Sequence, residues 1–167
     1  TRPTSDRVRE ALFSSLGDAV TGAAVLDLFA GSGALGLESI SRGAARAVFV
    51  ERSRRALPIL RANVKVLGCE DRCRIVPCDA LAALDRLART GDAFDIVFLD
   101  PPYAGDLLDR SLAGLLGSKL LAQGAVVIAE HPSAATLDPP PGLEKRACRK
   151  YGDTALTFVA ERHEDTI

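Results

Sequence analysis

The sequence predicts an α/β fold: a doubly wound, mostly parallel sheet that closes with an antiparallel hairpin at its carboxyl-terminal end. Apolar runs typical of buried strands alternate with segments of helical spacing over most of the 167 residues. Near the end, two β-like runs flank the dipeptide Gly152-Asp153, which is a hairpin signal. The alternation favours parallel strands joined by right-handed crossovers, with helices on both faces of the sheet.

The elements are predicted in turn from the beginning of the chain. A capped helix is expected over 4–13, with Thr4 or Ser5 as its N-cap. Five strands and four helices then alternate: strands at 24–29, 47–51, 73–78, 95–99 and 125–130, and helices at 34–42, 55–67, 80–88 and 106–116. The hairpin joins 144–151 to 154–160. No internal repeat or linker divides the chain, so residues 1–167 are expected to form a single domain.

Composition sets broad limits on function. Apolar residues make up 47% and charged residues 26%, with a net charge of −1, so any nucleic-acid partner must be met by local basic patches. No apolar run has the length of a membrane span and no signal peptide is evident, which predicts a cytoplasmic protein. The four cysteines lack the spacing of a zinc or iron–sulfur site, and only two histidines are present. We therefore expect no metal site, and reduced, mostly buried thiols.

A glycine-rich loop follows the first predicted strand. Its sequence, Gly31-Ser32-Gly33-Ala34-Leu35-Gly36, satisfies G-x-G-x-x-G between a strand and a helix. Glycines let the backbone approach a ligand, and the helix N-terminus offers unpaired N–H groups. By itself the motif is compatible with a dinucleotide site, with another ligand, or with tight packing alone.

Acidic residues at three successive strand ends narrow the choice of ligand. Asp27, in the first strand just before the loop, would repel a pyrophosphate and attract an ammonium group. Glu51 ends the second strand, where a carboxylate can accept from both ribose hydroxyls. Asp79 ends the third strand and could accept from an adenine amino group. This pattern suits a cationic nucleoside, and S-adenosylmethionine fits it.

The fourth strand ends in Asp100-Pro101-Pro102-Tyr103, which suggests a way to activate an amine. The lone pair of an exocyclic base amine is delocalised into the ring, and acceptors for both N–H bonds would localise it on nitrogen. The Asp100 carboxylate and the Pro101 carbonyl can supply these acceptors, and both prolines fix the carbonyl's direction. Tyr103 can stack on the base. The alternative is a rigid turn without a chemical role.

In order along the chain, V-L-D-L-F-A-G-S-G (25–33), V-E (50–51), C-D-A (78–80) and L-D-P-P-Y (99–103) resemble a Rossmann-like class I methyltransferase. With R-P-T-S-D-R-V-R-E-A-L-F (2–13) and Y-G-D-T-A-L-T-F (151–158), nearly the whole chain is similar to the RsmD-type bacterial rRNA guanine-N2 methyltransferases. The resemblance implies S-adenosylmethionine as cofactor. The predicted cofactor-binding residues are Asp27, Phe29, Ala30, Gly31, Ser32, Gly33, Glu51, Arg52, Asp79 and Ala80, with Thr4 and Arg7 near the methionine end. That family's short basic, β-rich segment before R-P-T-S does not occur in this sequence.

The first functional hypothesis is therefore methylation of a guanine N2 amine in small-subunit rRNA, by a monomer acting on an assembling or assembled subunit. An adenine-N6 enzyme is the nearest rival, because D-P-P-Y can activate either amine. A nicotinamide-dependent oxidoreductase and a catalytically silent RNA-binding module are alternatives of other classes. The residues that could meet RNA phosphates are Arg2, Arg7, Arg9, Arg52, Arg54, Arg55 and Arg61, with Lys145, Arg146, Arg149 and Lys150 near the hairpin. His131 is expected to be a loop residue without a catalytic role.

Overall fold

The structure is a computed structural model that describes residues 5–102 and 105–163. Within these residues the helices are α1 Asp6–Leu16, α2 Ala34–Ser41, α3 Ala56–Val66, α4 Ala80–Arg89 and α5 Leu107–Gly117. The strands are β1 Ala24–Asp27, β2 Arg46–Val50, β3 Cys73–Val76, β4 Phe94–Leu99, β5 Leu121–Pro132, β6 Leu143–Tyr151 and β7 Thr154–Glu161. Two short 3₁₀ segments, Gly17–Val20 and Glu70–Arg72, were not predicted from the sequence.

The seven strands form one sheet in the order β3-β2-β1-β4-β5-β7-β6. The first five strands in this order run parallel to one another, and β7 runs antiparallel to both β5 and β6. From β1 the chain moves outward to β2 and β3, then returns to β4 on the other side of β1. The predicted fold class is confirmed. Ligands of such sheets bind outside the carboxyl ends of the strands where this order reverses, here between β1 and β4.

Alternating strand residues build one hydrophobic layer on each face of the sheet. Val25 and Ile96 pack with residues of α1, α2 and α3. Their neighbours Leu26 and Val97 pack with residues of α4 and α5 on the opposite face. All four side chains are at most 1% exposed. The continuous apolar runs in the sequence therefore reflect burial of both faces, as expected for central parallel strands.

Helix α1 closes one end of the core. Its N-cap is Ser5, whose hydroxyl accepts a hydrogen bond from Val8 N at 3.3 Å. Leu12 and Phe13 are buried, and the Phe13 ring lies 6.0 Å from that of Phe98. The Ser5 cap is confirmed, whereas Thr4 lies outside the described residues.

The hairpin is confirmed, but β5 is longer than predicted. Gly152, at φ 60°, and Asp153 connect the paired residues Tyr151 and Thr154. Because β5 continues to Pro132 to pair with β7, His131 lies in a strand. The expectation of a loop residue is wrong: His131 is 6% exposed, and its Nε2 lies 2.7 Å from Thr157 Oγ1.

The cysteines are more exposed than expected. Cys69 is buried, Cys73 and Cys78 are half-buried, and Cys148 is exposed on β6. The prediction of mostly buried thiols is therefore right for Cys69 only.

Candidate active site

The carboxyl ends of β1 to β4 border a cleft of about 750 Å³. This is where the order of the strands reverses, and it brings most of the predicted residues together. Those that line the cleft are Asp27, Phe29, Ala30, Gly31, Ser32, Glu51, Arg52, Asp79, Ala80, Asp100 and Pro102. The acids at the strand ends, 21 to 73 residues apart in sequence, thus share one cavity because parallel strands end at the same edge.

The two glycines that begin the loop have different roles. Gly31 and Gly33 both have left-handed backbones, with φ of 56° and 86°. A Cβ at Gly31 would meet nothing within 4 Å, so this position opens on the cleft. A Cβ at Gly33 would lie 2.5 Å from Leu60 Cδ1, on the core side of the loop. Gly33 is therefore required for packing of the α2 N-terminus on α3, and it does not line the cleft.

Glu51 holds the glycine loop in place. Its Oε1 accepts from Gly31 N at 2.8 Å, and its Oε2 accepts from Ser53 N at 2.8 Å. Each carboxylate oxygen can still accept another hydrogen bond, since it has more than one acceptor site. Glu51 can therefore position the loop and face a ligand at the same time.

Asp27 is the most buried acid of the cleft, at 4% exposed. Its Oδ2 accepts from Gly36 N at 3.2 Å. Burial raises the pKa of Asp27 to about 7, the Gly36 N–H opposes this, and the charge of Glu51 adds to it. A carboxylate in this position is stabilised by a positively charged ligand group.

Asp79 has a structural role that the sequence analysis missed. It is the N-cap of α4, and its Oδ2 accepts from Leu81 N at 3.2 Å and from Ala82 N at 3.4 Å. Its Oδ1 lies 3.8 Å from Arg52 Nη1. An Asp directly before a helical apolar pattern is the signal that could have identified the cap.

Asp100 belongs to a cluster of acids at the ends of β1, β4 and β5. Burial raises the pKa of Asp100 to about 8, and the neighbouring Glu130 carboxyl, as acceptor and as charge, and the charge of Asp27 add to it. Glu130, near the end of β5, is itself 8% exposed. The Asp100 side chain therefore faces the cleft on one side and a second buried carboxyl on the other.

A second pocket of about 240 Å³ adjoins the cleft. Its lining includes Pro101, Pro102, Glu130 and residues 135–137. Because Pro102 lines both cavities, the Asp100-Pro101-Pro102 segment forms the wall between them.

Among the predicted residues that the structure describes, three do not line the cleft: Arg7, Gly33 and Pro101. Arg7 is exposed and does not line it, whereas Arg9 does and pairs with Asp6 at 2.6 Å. Thr4 and Tyr103 lie outside the described residues.

Two residues near the site were missed. Arg9 gave no signal beyond being one of several arginines near the start of the chain. Glu130 did have a signal in the sequence, because it is the acid that ends the fifth apolar run. Asp27, Glu51 and Asp100 end or directly follow the apolar runs of their own strands.

In the part of the chain that the structure describes, no three His, Cys, Asp or Glu residues are placed to hold a metal ion. Within the same residues, no helix is both long and apolar enough to cross a membrane.

Comparison with known proteins identifies the family. The family model described as "Conserved hypothetical protein 95" matches residues 1–160, nearly the whole chain. The chain belongs to this family. "Putative rRNA methyltransferase YlbH" of Bacillus subtilis is 34% identical over 163 residues, which are 97% of this chain and 89% of that protein.

Other relatives connect the family to RsmD-type enzymes. "Ribosomal RNA small subunit methyltransferase D" of Escherichia coli is 41% identical over 129 residues, covering 77% of this chain and 63% of that protein. A solved structure, the "conserved hypothetical protein" of Streptococcus pyogenes, has a TM-score of 0.85 at 35% identity and covers 93% of this chain and 96% of that one. The predicted RsmD-type resemblance is confirmed, and with it S-adenosylmethionine as the cofactor.

The cleft of this RsmD-type chain fits that cofactor. Among the described lining residues, four carboxylates (Asp27, Glu51, Asp79 and Asp100) outnumber the two arginines, Arg9 and Arg52. The buried Asp27 favours a cationic group, and the open Cβ position at Gly31 leaves room for a ligand against the backbone. The same carboxylates would repel a pyrophosphate, because both are negatively charged.

Proposed function

We propose that the protein transfers a methyl group from S-adenosylmethionine to the exocyclic N2 amine of a guanine in small-subunit rRNA. One observation carries the proposal: the Asp100-Pro101-Pro102 segment separates the acidic cleft from a second pocket, so it can face the cofactor and a base together. The names of the relatives from Bacillus subtilis and Escherichia coli support rRNA as the substrate class. A ribosomal substrate implies a cytoplasmic protein, and residues 1–167 would act as one monomeric domain.

The cofactor residues divide by the part of the ligand that each would hold. Asp27 binds the ammonium group, because its buried carboxylate gains most from a cation. Glu51 accepts from the ribose hydroxyls with the acceptor sites that Gly31 N and Ser53 N leave open. Asp79 accepts from the adenine amine through Oδ1, the oxygen that does not cap α4.

Other residues that were predicted to contact the cofactor shape the cleft around it. Phe29, Ala30, Ser32 and Ala80 line the cleft, and Arg52 positions Asp79. Thr4 and Arg7 stay proposals from the family resemblance, near the methionine end. When bound, the cofactor supplies an electrophilic methyl group on a sulfonium centre.

The chain's own residues prepare the amine. Asp100 accepts one N–H bond and the Pro101 carbonyl accepts the other, which localises the nitrogen lone pair. Pro101 is buried and its ring fixes the local backbone, so the carbonyl does not need to reorient during the reaction. Tyr103 stacks on the base. Aligning the amine in this way contributes several kcal/mol to the barrier reduction, because positioning and oriented acceptors act together.

Exposed basic side chains supply surfaces for RNA phosphates. Arg54, Arg55 and Arg61 are exposed at the start of α3 and on it, beside the cleft. Lys145, Arg146, Arg149 and Lys150 are exposed on β6, the edge strand at the far side of the sheet. An RNA that contacts both surfaces would cross the carboxyl ends of the strands, where the cleft opens.

Labelled methyl transfer tests the substrate. Small subunits that lack the modification should accept tritiated methyl groups faster than naked rRNA, because the target base must be presented outside a duplex. Nuclease digestion of the product should yield N2-methylguanine. N6-methyladenine, or efficient labelling of duplex DNA, would contradict the proposal and favour the rival amine.

Variants of Asp100 test the chemistry. Asp100→Ala should fold and bind S-adenosylmethionine, while single-turnover transfer falls by about 10²–10⁴-fold. Asp100→Asn should lose less, because its amide oxygen still accepts one hydrogen bond. Near-normal turnover by a stable Asp100→Ala protein would remove the catalytic role. Calorimetry with NAD in place of S-adenosylmethionine completes the test: binding of NAD alone would point to an oxidoreductase.

A further inference from the structure

The Asp100 and Glu130 carboxyls are neighbours at the ends of β4 and β5. Strands β4 and β5 are parallel, and Leu99 pairs with Ala129, so the residues that follow, Asp100 and Glu130, lie side by side at the same edge. Burial and the neighbouring Glu130 carboxyl raise the pKa of Asp100. Two adjacent carboxyls that share one proton are more stable than two adjacent carboxylates, which repel each other.

The two acids face different cavities. Asp100 lines the cleft, and Glu130 lines the second pocket together with Pro101 and Pro102. The two neighbouring carboxyls therefore lie between the cavities, beside the wall that the prolines form. Glu130 is 8% exposed.

Glu130 has a role to fill in the proposed reaction, because methylation of a neutral amine releases a proton. The target nitrogen exchanges one N–H bond for an N–C bond, while the electron pair of the donor's carbon–sulfur bond stays on sulfur. One proton must then leave the nitrogen, and the cationic charge of the donor ends on that proton. Of the two groups proposed to accept from the amine, only the Asp100 carboxylate can take up this proton, because a backbone carbonyl such as that of Pro101 is far too weak a base.

We propose that Asp100 and Glu130 act as a pair, in which Asp100 takes the amine proton and Glu130, a positioning residue beside it, passes the proton to the second pocket. This inference rests on the proposed amine methylation. A base works best when its pKa lies near the working pH, and the neighbouring Glu130 carboxyl moves the pKa of Asp100 in that direction. The pair enters the step ionised, gains one proton per turnover that the two carboxyls share, and returns it to water, so the step balances.

Other charged groups surround the pair on several elements. Asp27 faces it from β1, and its charge acts on Asp100 in the same direction as that of Glu130. Arg9 of α1 lines the cleft, and Asp109 of α5 lines the second pocket. His131 follows Glu130 on β5, with its ring hydrogen-bonded to Thr157 of β7.

The first test needs no cofactor or RNA. The protein is labelled with aspartate carrying ¹³C in its side-chain carboxyl, the Asp100 signal is assigned by its loss in Asp100→Asn, and its titration is followed by NMR. Glu130→Gln keeps the shape and removes the acid, so the Asp100 midpoint should fall by about one pH unit or more. Asp109→Asn removes another acid of the same pocket and should leave the midpoint where it is in the parent protein. Equal midpoints in Glu130→Gln and the parent would overturn the proposal.

The second test is the pH profile of single-turnover transfer to small subunits. In Glu130→Gln the acidic limb should move to lower pH and the plateau should fall about tenfold or more, as for a weaker base, with little change in KM. Glu130→Asp retains an acid and should recover part of the plateau, a rescue that a purely structural role does not predict. A parent-like profile in a folded Glu130→Gln protein would refute the role in proton transfer.

The two proposals fail in distinguishable ways. If the parent transfers methyl groups to guanine N2 but Glu130→Gln leaves both titration and pH profile unchanged, the methyltransferase stands and the pair does not. If Glu130→Gln shifts the Asp100 midpoint but the parent methylates no amine, the proposed function is refuted. The two carboxyls would then interact without receiving a proton from an amine.

Discussion

Replacing Asp27 by Asn should affect stability and cofactor binding in opposite directions. The folded protein holds a carboxyl whose burial raises its pKa from 3.8 to about 7, so the folded state binds this proton more tightly than the unfolded state. The stabilisation that the protonated Asp27 carboxyl contributes is fully present below its pKa in the unfolded state. It is lost as the pH rises through its pKa in the folded state. Asn cannot ionise, and its amide oxygen can still accept from Gly36 N, so the variant avoids this loss.

The magnitude follows from the shift. A pKa shift of about three units means that ionisation of Asp27 lowers the parent's free energy of unfolding by about 4 kcal/mol near pH 8. Near pH 5 the same loss is about 1.5 to 2 kcal/mol. The new buried amide N–H groups cost about 1–3 kcal/mol at either pH. The stability of Asp27→Asn relative to the parent should therefore rise by about 2–3 kcal/mol between those pH values, which corresponds to about 4–12 °C in relative Tm.

The assay is thermal unfolding of the parent and Asp27→Asn without cofactor, near pH 5 and near pH 8. Asp85→Asn, at an exposed position on α4, is the matched control and should show a pH-independent difference. Calorimetry near pH 8 should show cofactor affinity about 10- to 150-fold weaker in Asp27→Asn, because one charge-assisted hydrogen bond is lost. An unchanged relative Tm would refute the ionisation cost at Asp27, and unchanged affinity would refute its contact with the ammonium group.

Three further changes test the architecture of the site. Gly36→Ala should destabilise the protein by about 1–3 kcal/mol in urea unfolding, because the new Cβ would lie 2.3 Å from Phe49 Cε1; a neutral effect would mean that the ring moves freely. Gly33→Ala should also destabilise, by about 1–3 kcal/mol, since it combines a left-handed backbone with a Cβ 2.5 Å from Leu60 Cδ1; weakened cofactor binding at full stability would instead place Gly33 in the cleft. Asp79→Ala should cost about 0.5–2 kcal/mol by loss of the α4 cap, whereas Asp79→Asn should keep most of it; equal losses in both would contradict capping.

Much of the fold could be predicted because each element has a local signal. The bounds of the helix over 34–42 and of the strand over 95–99 differ from those of α2 and β4 by one residue. The extension of β5 to His131 could not be predicted in this way. It depends on pairing with β7, which lies about thirty residues further along the chain, and a polar pair such as His131 and Thr157 gives no apolar pattern.

The candidate site was predictable to the extent that sheet geometry assembles it. Once a parallel sheet is predicted, acids such as Asp27, Glu51 and Asp100 at its strand ends must converge at one edge. Glu130 was missed because its importance comes from a partner, Asp100, that only the strand order places beside it. The packing role of Gly33 was missed for a similar reason: a motif gives the position of a glycine but not the neighbour, here Leu60, that excludes a side chain.

The reversal of strand order between β1 and β4 also divides the chain at one point in its sequence. Residues before the turn at 90–93 build the strand ends that we propose hold the cofactor, and residues after it build those that we propose face the amine and that border the second pocket. Recombination in that turn would join the donor half of one enzyme to the acceptor half of another. The contacts that must remain compatible include the pairing of β1 with β4, as in Leu26 with Val97, the contact of α4 with α5, and the packing of α1 against the second half, as in Phe13 with Phe98. New methylation targets can therefore arise in this fold by exchange of its carboxyl-terminal half while the methyl donor stays the same.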